Sequence, residues 1–307
     1  MFFDTLVTGA TGFIGSEIAQ TLEDAGQKVI RSSRSDTRHI AAEFMQLDLS
    51  STNFDSGKLK GIKTIIHCAA AVHNSEVDES RIFSVNYKGT EALVDAAIKA
   101  GVQHFIFLSS VAVYGLSHNE NYVTDNCEIN PQSPYAKSKL KAEEMILHKC
   151  CLGSMKYTIL RLPLVFGREA PGNFGRIVNL SLSGIPLPFG DAHNKRTIVF
   201  SKNLADFIAQ RCLAGFHDNQ VLLFSDGIVL STAEIIEGIR KSAFKPLRNI
   251  SVSVNILRFL LVSLGARKIA NQLLSDLVFK PSIEIYSSGW KPKYNAKKAL
   301  ELLTKSD

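Results

Sequence analysis

The sequence has few cysteines, no long apolar run and no metal-ligand spacing, and each absence narrows what the protein can be. Its five cysteines form no CxxC pair, so we predict no disulfide framework and expect a cytoplasmic, reducing compartment. No stretch reaches the roughly eighteen apolar residues of a membrane span. The segment Met1-Phe2-Phe3-Asp4 lacks the basic region of a signal peptide, so we expect none. The eight histidines show no paired ligand spacing, so we predict no metal site.

The composition is that of a globular protein, but its charge is uneven. A hydrophobic content of 45% with 21% charged residues excludes disorder over 307 residues. The net charge is +6, and residues 240–307 hold thirteen Lys and Arg against four Asp and Glu. This excess indicates either an anionic partner or a solvated basic face. Because the basic residues are dispersed and not interleaved with aromatic ones, we expect no nucleic-acid partner.

One apolar stretch, residues 252–264, allows two interpretations. Arg258 interrupts it, and its length fits a buried helix, which is the interpretation we prefer. The alternative is an interfacial membrane helix, because Arg267 and Lys268 follow closely. On balance we expect no membrane partner.

Short apolar runs alternate with amphipathic stretches in the first half of the chain. Runs such as 64–67 and 104–108 are apolar throughout, and helical patterns such as 81–100 and 134–150 separate them. This rhythm predicts an α/β fold with a doubly wound parallel sheet that is covered on both faces. After Pro163 the rhythm breaks into a segment rich in Gly and Pro.

A glycine-rich loop, Thr8-Gly9-Ala10-Thr11-Gly12-Phe13-Ile14-Gly15, links the first strand to the first helix. Such glycines let the backbone reach a pyrophosphate, and the helix N-terminus supplies N–H donors, so the loop predicts a dinucleotide site in a Rossmann-type sheet. The expected cofactor contacts here are Gly9, Thr11, Gly12, Phe13, Ile14 and Gly15.

These patterns divide the chain into two lobes. We predict a dinucleotide-binding domain in residues 1–165, to which residues 195–225 return. A smaller, discontinuous C-terminal substrate-binding lobe is predicted in residues 166–194 and 226–307.

The end of the second strand bears on the choice between NAD and NADP. An acidic residue there binds the ribose 2′-hydroxyl, whereas arginine accommodates a 2′-phosphate. This sequence has Ser33 and Arg34, also preceded by Arg31, and no carboxylate before Asp36. We therefore predict NADP as the preferred cofactor, with NAD as the alternative.

Two further loops follow buried strands and face the same predicted edge. Asp48 and Leu49 follow the third strand and are expected to contact the adenine. Ala69, Ala70 and Ala71 follow the fourth, where small side chains let the backbone approach the cofactor. Ordinary loop and helix-start roles are the alternatives for both.

Tyr135 and Lys139 form a YxxxK pattern that puts both side chains on one helix face. A nearby ammonium favours the phenolate of a tyrosine, whose pKa is otherwise about 10. Tyr294 and Lys298 match the same pattern, but only Tyr135 is preceded by Ser109-Ser110 at the end of a strand. We therefore expect Tyr294 to be a surface tyrosine.

Together these residues resemble the extended short-chain dehydrogenase/reductases, within the nucleotide-sugar epimerase/dehydratase group, over nearly the whole chain. The resemblance also includes Asn86 in Val85-Asn86-Tyr87-Lys88-Gly89-Thr90 and Gly289-Trp290-Lys291-Pro292. It implies that Ser110, Tyr135 and Lys139 are catalytic, with Tyr135 and Lys139 also touching the cofactor.

The resemblance assigns further contacts outside the catalytic set. Asn86 and Pro163 join the cofactor-binding residues, although Pro163 stands near the family's usual asparagine. Ser110, Asn173 and Arg196 bind the substrate, with Arg196 on its pyrophosphate. Family members often dimerise through two long helices, here 81–100 and 134–150, so a homodimer is implied.

The expected activity is oxidation or reduction at carbon 4 of a nucleotide-diphosphate sugar, UDP-linked by resemblance. Val111 and Ala112 stand where dehydratases carry Asp and Glu, which argues against dehydration. Residues 184–190 and 224–227 look most like bacterial reductases and 4-epimerases of UDP-N-acetylhexosamines from surface-polysaccharide pathways. Because Ser33-Arg34 favours exchangeable NADPH, we prefer a UDP-4-keto-sugar 4-reductase, with a 4-epimerase as the alternative. A non-catalytic NAD(P)-sensing protein is the alternative of another class.

Overall fold

The computed structural model describes residues 4–34, 44–72, 78–118, 122–151, 153–215 and 219–304. A parallel seven-stranded sheet in the order β3-β2-β1-β4-β5-β6-β9 forms its centre, and a three-stranded sheet in the order β10-β8-β7 lies beside it. The strands are β1 (Thr5–Thr8), β2 (Val29–Ser33), β3 (Phe44–Gln46), β4 (Thr64–His67), β5 (His104–Ser110), β6 (Lys156–Leu162), β7 (Leu164–Phe166), β8 (Arg196–Phe200), β9 (Gln220–Leu223) and β10 (Val229–Leu230).

Helices cover both faces of the main sheet and build most of the second lobe. They are α1 (Phe13–Asp24), α2 (Glu79–Phe83), α3 (Thr90–Ala100), α4 (Pro134–Cys151), α5 (Gly172–Leu182), α6 (Ser201–Ala214), α7 (Thr232–Ser242), α8 (Val254–Ser263), α9 (Arg267–Leu274), α10 (Ile283–Ser287) and α11 (Ala296–Leu302). The predicted doubly wound α/β fold is confirmed.

Successive residues of the central strands point into two separate cores, as a strand's period of two requires. In β4, Ile65 packs into the core that α3 and α4 cover. Its neighbour Ile66 packs into the core beneath α1 and α6. Both residues are fully buried, which explains why the strand sequence is apolar throughout instead of alternating.

The strand pairing bears on the predicted division into lobes at residues 195–225. β8 (Arg196–Phe200) pairs with β7 in the small sheet, so only α6 and β9 return to the main sheet. Pro163, which has no N–H to continue a ladder, separates β6 from β7 and directs the chain to the second sheet. Ile285 and Trp290, from the predicted second lobe, pack into the main core.

The predicted helix over residues 81–100 is interrupted by a π-helical segment, Ser84–Gly89. A Cβ on Gly89 would lie 2.1 Å from the carbonyl oxygen of Leu49, so only glycine allows this close approach. The wider turn carries Asn86, and π-helical turns are frequent at functional sites.

The expected helix within residues 252–264 forms and packs against its lobe, but on one side only, so it is not fully buried. α8 buries Leu257, but Phe259 is 72% exposed and Leu264, just after the helix, is 80% exposed. In the described residues no helix is long and apolar enough to cross a membrane.

Candidate active site

The strand register gathers the predicted site residues at one edge of the main sheet. Thr8 of β1 pairs with His67 of β4, which pairs with Phe107 of β5, and β5 continues to Ser110. The glycine-rich loop, the 69–71 segment and Ser110 therefore leave neighbouring strands at their carboxyl ends. Ligands of doubly wound sheets bind at this edge.

The geometry of the glycine-rich loop fits a bound dinucleotide. Gly9 has a φ of +65°, and a Cβ on Gly15 would lie 2.3 Å from the Gly9 carbonyl oxygen. Gly12 begins α1 with extended backbone and supplies no side-chain cap, so the first N–H groups of the helix are left to an anion. The residues present therefore match the pyrophosphate cradle predicted from the sequence.

The end of β2 presents fewer unpaired guanidinium groups to a 2′-phosphate than the sequence indicated. Arg31 donates to Glu23 on α1, with 2.6 Å between Nη2 and Oε2, so one predicted guanidinium is already paired. Arg34 is exposed directly after the strand, and Ser33 is buried. Asp36 lies outside the described residues. The case for NADP therefore rests on Arg34.

The loop after β3 holds Asp48 by its own backbone. The Asp48 carboxylate accepts from the Ser50 N–H at 2.9 Å, and this hydrogen bond lowers the pKa of Asp48. Leu49 is buried and touches the Gly89 position described above. The carboxylate is thus ionised and fixed in direction, as an acceptor for a base amino group must be.

Asn86 holds the 69–71 segment in place. Its amide accepts from the Ala71 N–H at 2.7 Å and donates to the Ala71 carbonyl at 2.9 Å and to Ser138 at 3.1 Å. The Ala69 N–H donates to Thr8 at 3.3 Å. Asn86 therefore links the 69–71 segment to α4, and its direct contact with the cofactor stays a prediction.

Ser110, Tyr135 and Lys139 lie where the end of β5 meets α4, and their catalytic roles stay a prediction. The Ser110 hydroxyl lies close enough to the Tyr135 phenol to act toward lowering its pKa, and it accepts from the Ala112 N–H at 3.1 Å. Lys139 is buried on α4, where its Nζ donates to the Leu108 carbonyl at 2.7 Å. Its Nζ also lies 4.4 Å from the centroid of the Phe107 ring. The serine, phenol and ammonium are therefore fixed between α4 and the end of β5.

Burial shifts the pKa values of Tyr135 and Lys139 in opposite directions. It lowers the pKa of Lys139 to about 8 and raises the pKa of Tyr135 to about 12, against the effect of the Ser110 hydroxyl. Both shifts disfavour charge. At neutral pH the pair carries a phenol beside an ammonium that releases its proton readily.

A buried network beneath the pair was not predicted from the sequence. Glu143, one turn after Lys139, accepts from Ser109 and pairs with Arg161 at 2.7 Å between Oε2 and Nη2. Arg161 also donates to the Tyr114 hydroxyl at 3.1 Å. The sequence feature that could have revealed this network is the carboxylate of Glu143, four residues beyond Lys139 on the same helix face. The network fixes α4 against β5, and with it the direction of Lys139.

His67 is a second buried polar group that sequence reasoning missed. Its two ring nitrogens lie 2.8 Å from the Thr8 hydroxyl and 2.9 Å from the Thr90 hydroxyl. Burial, with a smaller effect from Lys139, lowers the pKa of His67 to about 3. This neutral histidine ties β1, β4 and α3 together and is a structural group.

The predicted substrate contacts lie in the second lobe. Arg196 begins β8, and its Nη1 donates to the carbonyls of Asn271 at 3.2 Å and Ser275 at 3.1 Å, at the end of α9. Asn173 lies in the first turn of α5, and its side chain is outside the described structure. Pro163 is buried at the junction of the two sheets. Their substrate and cofactor contacts remain predictions.

Tyr294 is not the surface residue that we expected. Its ring is half-buried and packs edge-on against Phe200, with 5.6 Å between centroids. Its backbone N–H donates to Asn203 at 2.9 Å. It closes the second lobe over α6 and does not join the Ser110 cluster.

Comparison with known proteins gives the family. The NAD dependent epimerase/dehydratase family matches residues 5–217. A UDP-glucose 4-epimerase of Vibrio cholerae is 32% identical over 301 residues, covering 94% of this chain and 90% of that protein. The N-acetyl-alpha-D-glucosaminyl-diphospho-ditrans,octacis-undecaprenol 4-epimerase of Escherichia coli O157:H7 is 29% identical over 209 residues, covering 67% and 62%. The crystal structure of a Thermus thermophilus UDP-glucose 4-epimerase in complex with NAD has a TM-score of 0.77 at 22% identity, over 98% of both chains.

The sheet, the glycine-rich loop and the Ser110–Tyr135–Lys139 set define an NAD(P)-dependent enzyme of the short-chain dehydrogenase/reductase type. More particularly, the chain belongs to the NAD dependent epimerase/dehydratase family. The predicted resemblance and the assignment as an enzyme are confirmed. The preferences for NADP and for reduction were finer predictions and are taken up below.

Proposed function

We propose that this protein is a 4-epimerase of UDP-linked hexoses or N-acetylhexosamines that works with retained NAD. The observation that carries the chemistry is the buried Tyr135–Lys139 pair beside Ser110, at the strand ends where the glycine-rich loop opens. Val111 and Ala112 offer no acid or base for dehydration. Two relatives named as 4-epimerases support the choice of carbon 4.

The residues divide the work at the reacting oxygen. When bound, the nicotinamide supplies a reversible acceptor for the hydride of carbon 4. Tyr135 takes the proton of the 4-hydroxyl and returns it later, while Ser110 donates a hydrogen bond that orients that oxygen. Lys139 stabilises the phenolate through its ammonium, which the Leu108 carbonyl and the Phe107 ring hold in place.

Arg31 favours the epimerase over the reductase that the sequence suggested. An epimerase returns its hydride before release and gains from holding NAD, whereas a reductase must exchange NADPH. Arg31 is committed to Glu23, which leaves Arg34 as the arginine for a 2′-phosphate. The NAD in the Thermus thermophilus structure supports the same choice.

The reductase remains the second candidate because of Arg34. It is exposed at the end of β2, and no carboxylate stands between residues 29 and 34 to bind a ribose 2′-hydroxyl. In this alternative one NADPH is consumed for each UDP-4-keto-sugar.

Arg196 is our proposed ligand of the substrate pyrophosphate. The Nη1 group makes the two bonds to the end of α9, so Nε and Nη2 remain as donors that can face an anion. Burial lowers the pKa of Arg196, but an arginine stays charged at neutral pH. Tethering to α9 would hold the guanidinium in one direction.

Cofactor identity and turnover without added cofactor test the proposal together. Protein is purified, a portion is denatured, and the released nicotinamide is identified by mass spectrometry. The intact remainder is incubated with UDP-glucose and with UDP-N-acetylglucosamine, and products are separated by chromatography. We expect bound NAD and conversion of one of them to its 4-epimer. Protein that is inert until NADPH and a UDP-4-keto-sugar are supplied would instead be the reductase.

A further inference from the structure

The outer face of α8 is apolar and uncovered. Ile256, Phe259 and Leu260 are 55%, 72% and 49% exposed, and their spacing puts them on one side of the helix. Val262 and Leu264 extend this surface at 38% and 80% exposure. We call these five residues the apolar α8 face. Contiguous exposed apolar residues on this scale mark interaction sites.

The helix cannot turn to bury this face, because its opposite side is already fixed. Leu257 is buried in a cluster with Leu274 and Ala192. Arg258 donates to the Leu274 carbonyl at 2.9 Å and to the Ser275 hydroxyl at 3.2 Å, at the end of α9. The apolar α8 face therefore needs a partner outside this fold.

The chain around α8 carries an excess of positive charge. Residues 238–275 contain seven Lys and Arg and no Asp or Glu. Arg240 and Arg258 are used inside the lobe, where Arg240 donates to the carbonyls of Ser181 and Ile185. The remaining basic residues are exposed. Lys241 pairs with Glu237 at 3.5 Å, which leaves Lys245, Arg248, Arg267 and Lys268.

Phe244, in the same stretch, adds an exposed aromatic ring. It follows α7 with a φ of 54°, in the left-handed region that glycine usually fills at this position, and it is 96% exposed. A bulky residue at this φ is strained, and no packing within the fold repays it.

We propose that the apolar α8 face seats this protein on an anionic lipid bilayer. Apolar residues flanked by lysine and arginine are the pattern of a helix that lies in a membrane interface. A second copy of the chain fits less well, because a twofold interface would bring two identical basic stretches together. The acyl chains of the bilayer would cover the apolar residues, and its anionic headgroups would pair with the basic residues around them.

Vesicle flotation tests this surface with matched variants. Full-length protein is mixed with vesicles of phosphatidylglycerol and phosphatidylethanolamine, and separately with phosphatidylcholine vesicles. We expect flotation with the anionic vesicles that weakens at high salt. The variant Phe259→Ser/Leu264→Ser should bind about tenfold more weakly or worse, since it removes most of the apolar contact. Arg267→Ser/Lys268→Ser should lose roughly fivefold per residue, on anionic vesicles only.

Leu213→Ser on α6 is the control, because Leu213 is 51% exposed, nearly the same as Leu260. It should float like the wild type. Thermal unfolding and turnover of UDP-sugar in solution establish that each variant is folded. Flotation that ignores the α8 substitutions would overturn the proposal. So would a protein that stays off vesicles and forms a dimer that Phe259→Ser dissociates, which would make this face a contact between copies.

Discussion

Residues 135–139 and residues 294–298 both read Tyr-x-x-x-Lys, yet the structure gives the two segments different surroundings. Tyr135 and Lys139 lie on α4, and Lys139 is 2% exposed with its Nζ on the Leu108 carbonyl. Tyr294 precedes α11, whose cap Asn295 separates it from Lys298 on the helix. Only the first segment therefore forms a helical i, i+4 pair.

The partners of the two lysines differ in the same way. Lys139 is held in a dry site, where burial moves its pKa to about 8. Lys298 lies in solvent, 3.6 Å from Glu301. A Tyr-x-x-x-Lys spacing can therefore support proton transfer only where one helix presents both side chains to the end of a strand and the site excludes water.

The largest expected contrast is between the two tyrosines. Tyr135→Phe removes the group that moves the proton, so turnover should fall by roughly 10²- to 10⁴-fold, while bound cofactor is retained. Tyr294→Phe keeps the packing against Phe200 and should stay within about twofold of wild type. Turnover of the UDP-sugar measures both. Equal losses in the two variants would remove Tyr135 from the mechanism.

The next contrast lies in the carboxylate beside each lysine. Glu143→Gln leaves the buried Arg161 charge without its partner and should cost roughly 3 kcal/mol in the free energy of unfolding. Glu301→Gln breaks an exposed pair and should cost about 0.5 kcal/mol or less. Denaturant titration measures both values. A Glu143→Gln protein as stable as wild type would mean that the network does not fix α4.

The titration of the pair should appear in the pH profile of kcat/KM for the oxidation step. One proton must leave the Tyr135–Lys139 pair before the phenolate can act. Lys139, with a pKa of about 8, sets the pH at which the pair loses it, and the form that acts is the one in which the remaining proton stays on the ammonium beside the phenolate. Activity should therefore rise with pH through a midpoint near pH 8 and level off above it. In Lys139→Met the rise should move well above pH 8, because the phenol alone has a high pKa. A profile unchanged in Lys139→Met would contradict this coupling, and Lys298→Met is the control.

The smallest contrast concerns Arg34, which is exposed at the end of β2, whereas Arg31 is paired with Glu23. If NAD is the cofactor, Arg34→Ala should change NAD affinity by about twofold or less, because no 2′-phosphate is present to pair with it. If NADP is bound, the same change should cost about 1.5–3 kcal/mol of NADP affinity. Isothermal titration of protein stripped of nucleotide distinguishes the two.

The main sheet could be predicted, and the candidate site residues could be chosen, from the sequence because both depend on local patterns. Apolar strand runs, the glycines of residues 9–15 and the i, i+4 spacing of Tyr135 and Lys139 each depend on neighbours in the chain. The pairing of Arg31 with Glu23 could not be read in this way, since it depends on how α1 lies over β2. The π-helical turn at 84–89 was missed for the same reason, because Leu49, far away in sequence, demands Gly89.

The exposed outer side of α8 was not predicted from the sequence for a different reason. Its composition suits a buried helix, and periodicity cannot separate burial in protein from exposure to another apolar medium. Whether such a helix finds a core depends on the rest of the lobe. Here Leu257 and Arg258 take the inner side and leave the other side open.

The fate of the hydrogen at carbon 4 tests the central claim most directly. UDP-glucose and UDP-N-acetylglucosamine, each carrying deuterium at carbon 4, are incubated with the purified protein and no added cofactor, and the 4-epimers are analysed by mass spectrometry. Reversible transfer within one site predicts an epimer that keeps its deuterium. The Tyr135→Phe variant should form no such epimer, whereas the Tyr294→Phe variant should form it. An epimer that has lost its deuterium to solvent, or no epimer from either sugar, would contradict the account.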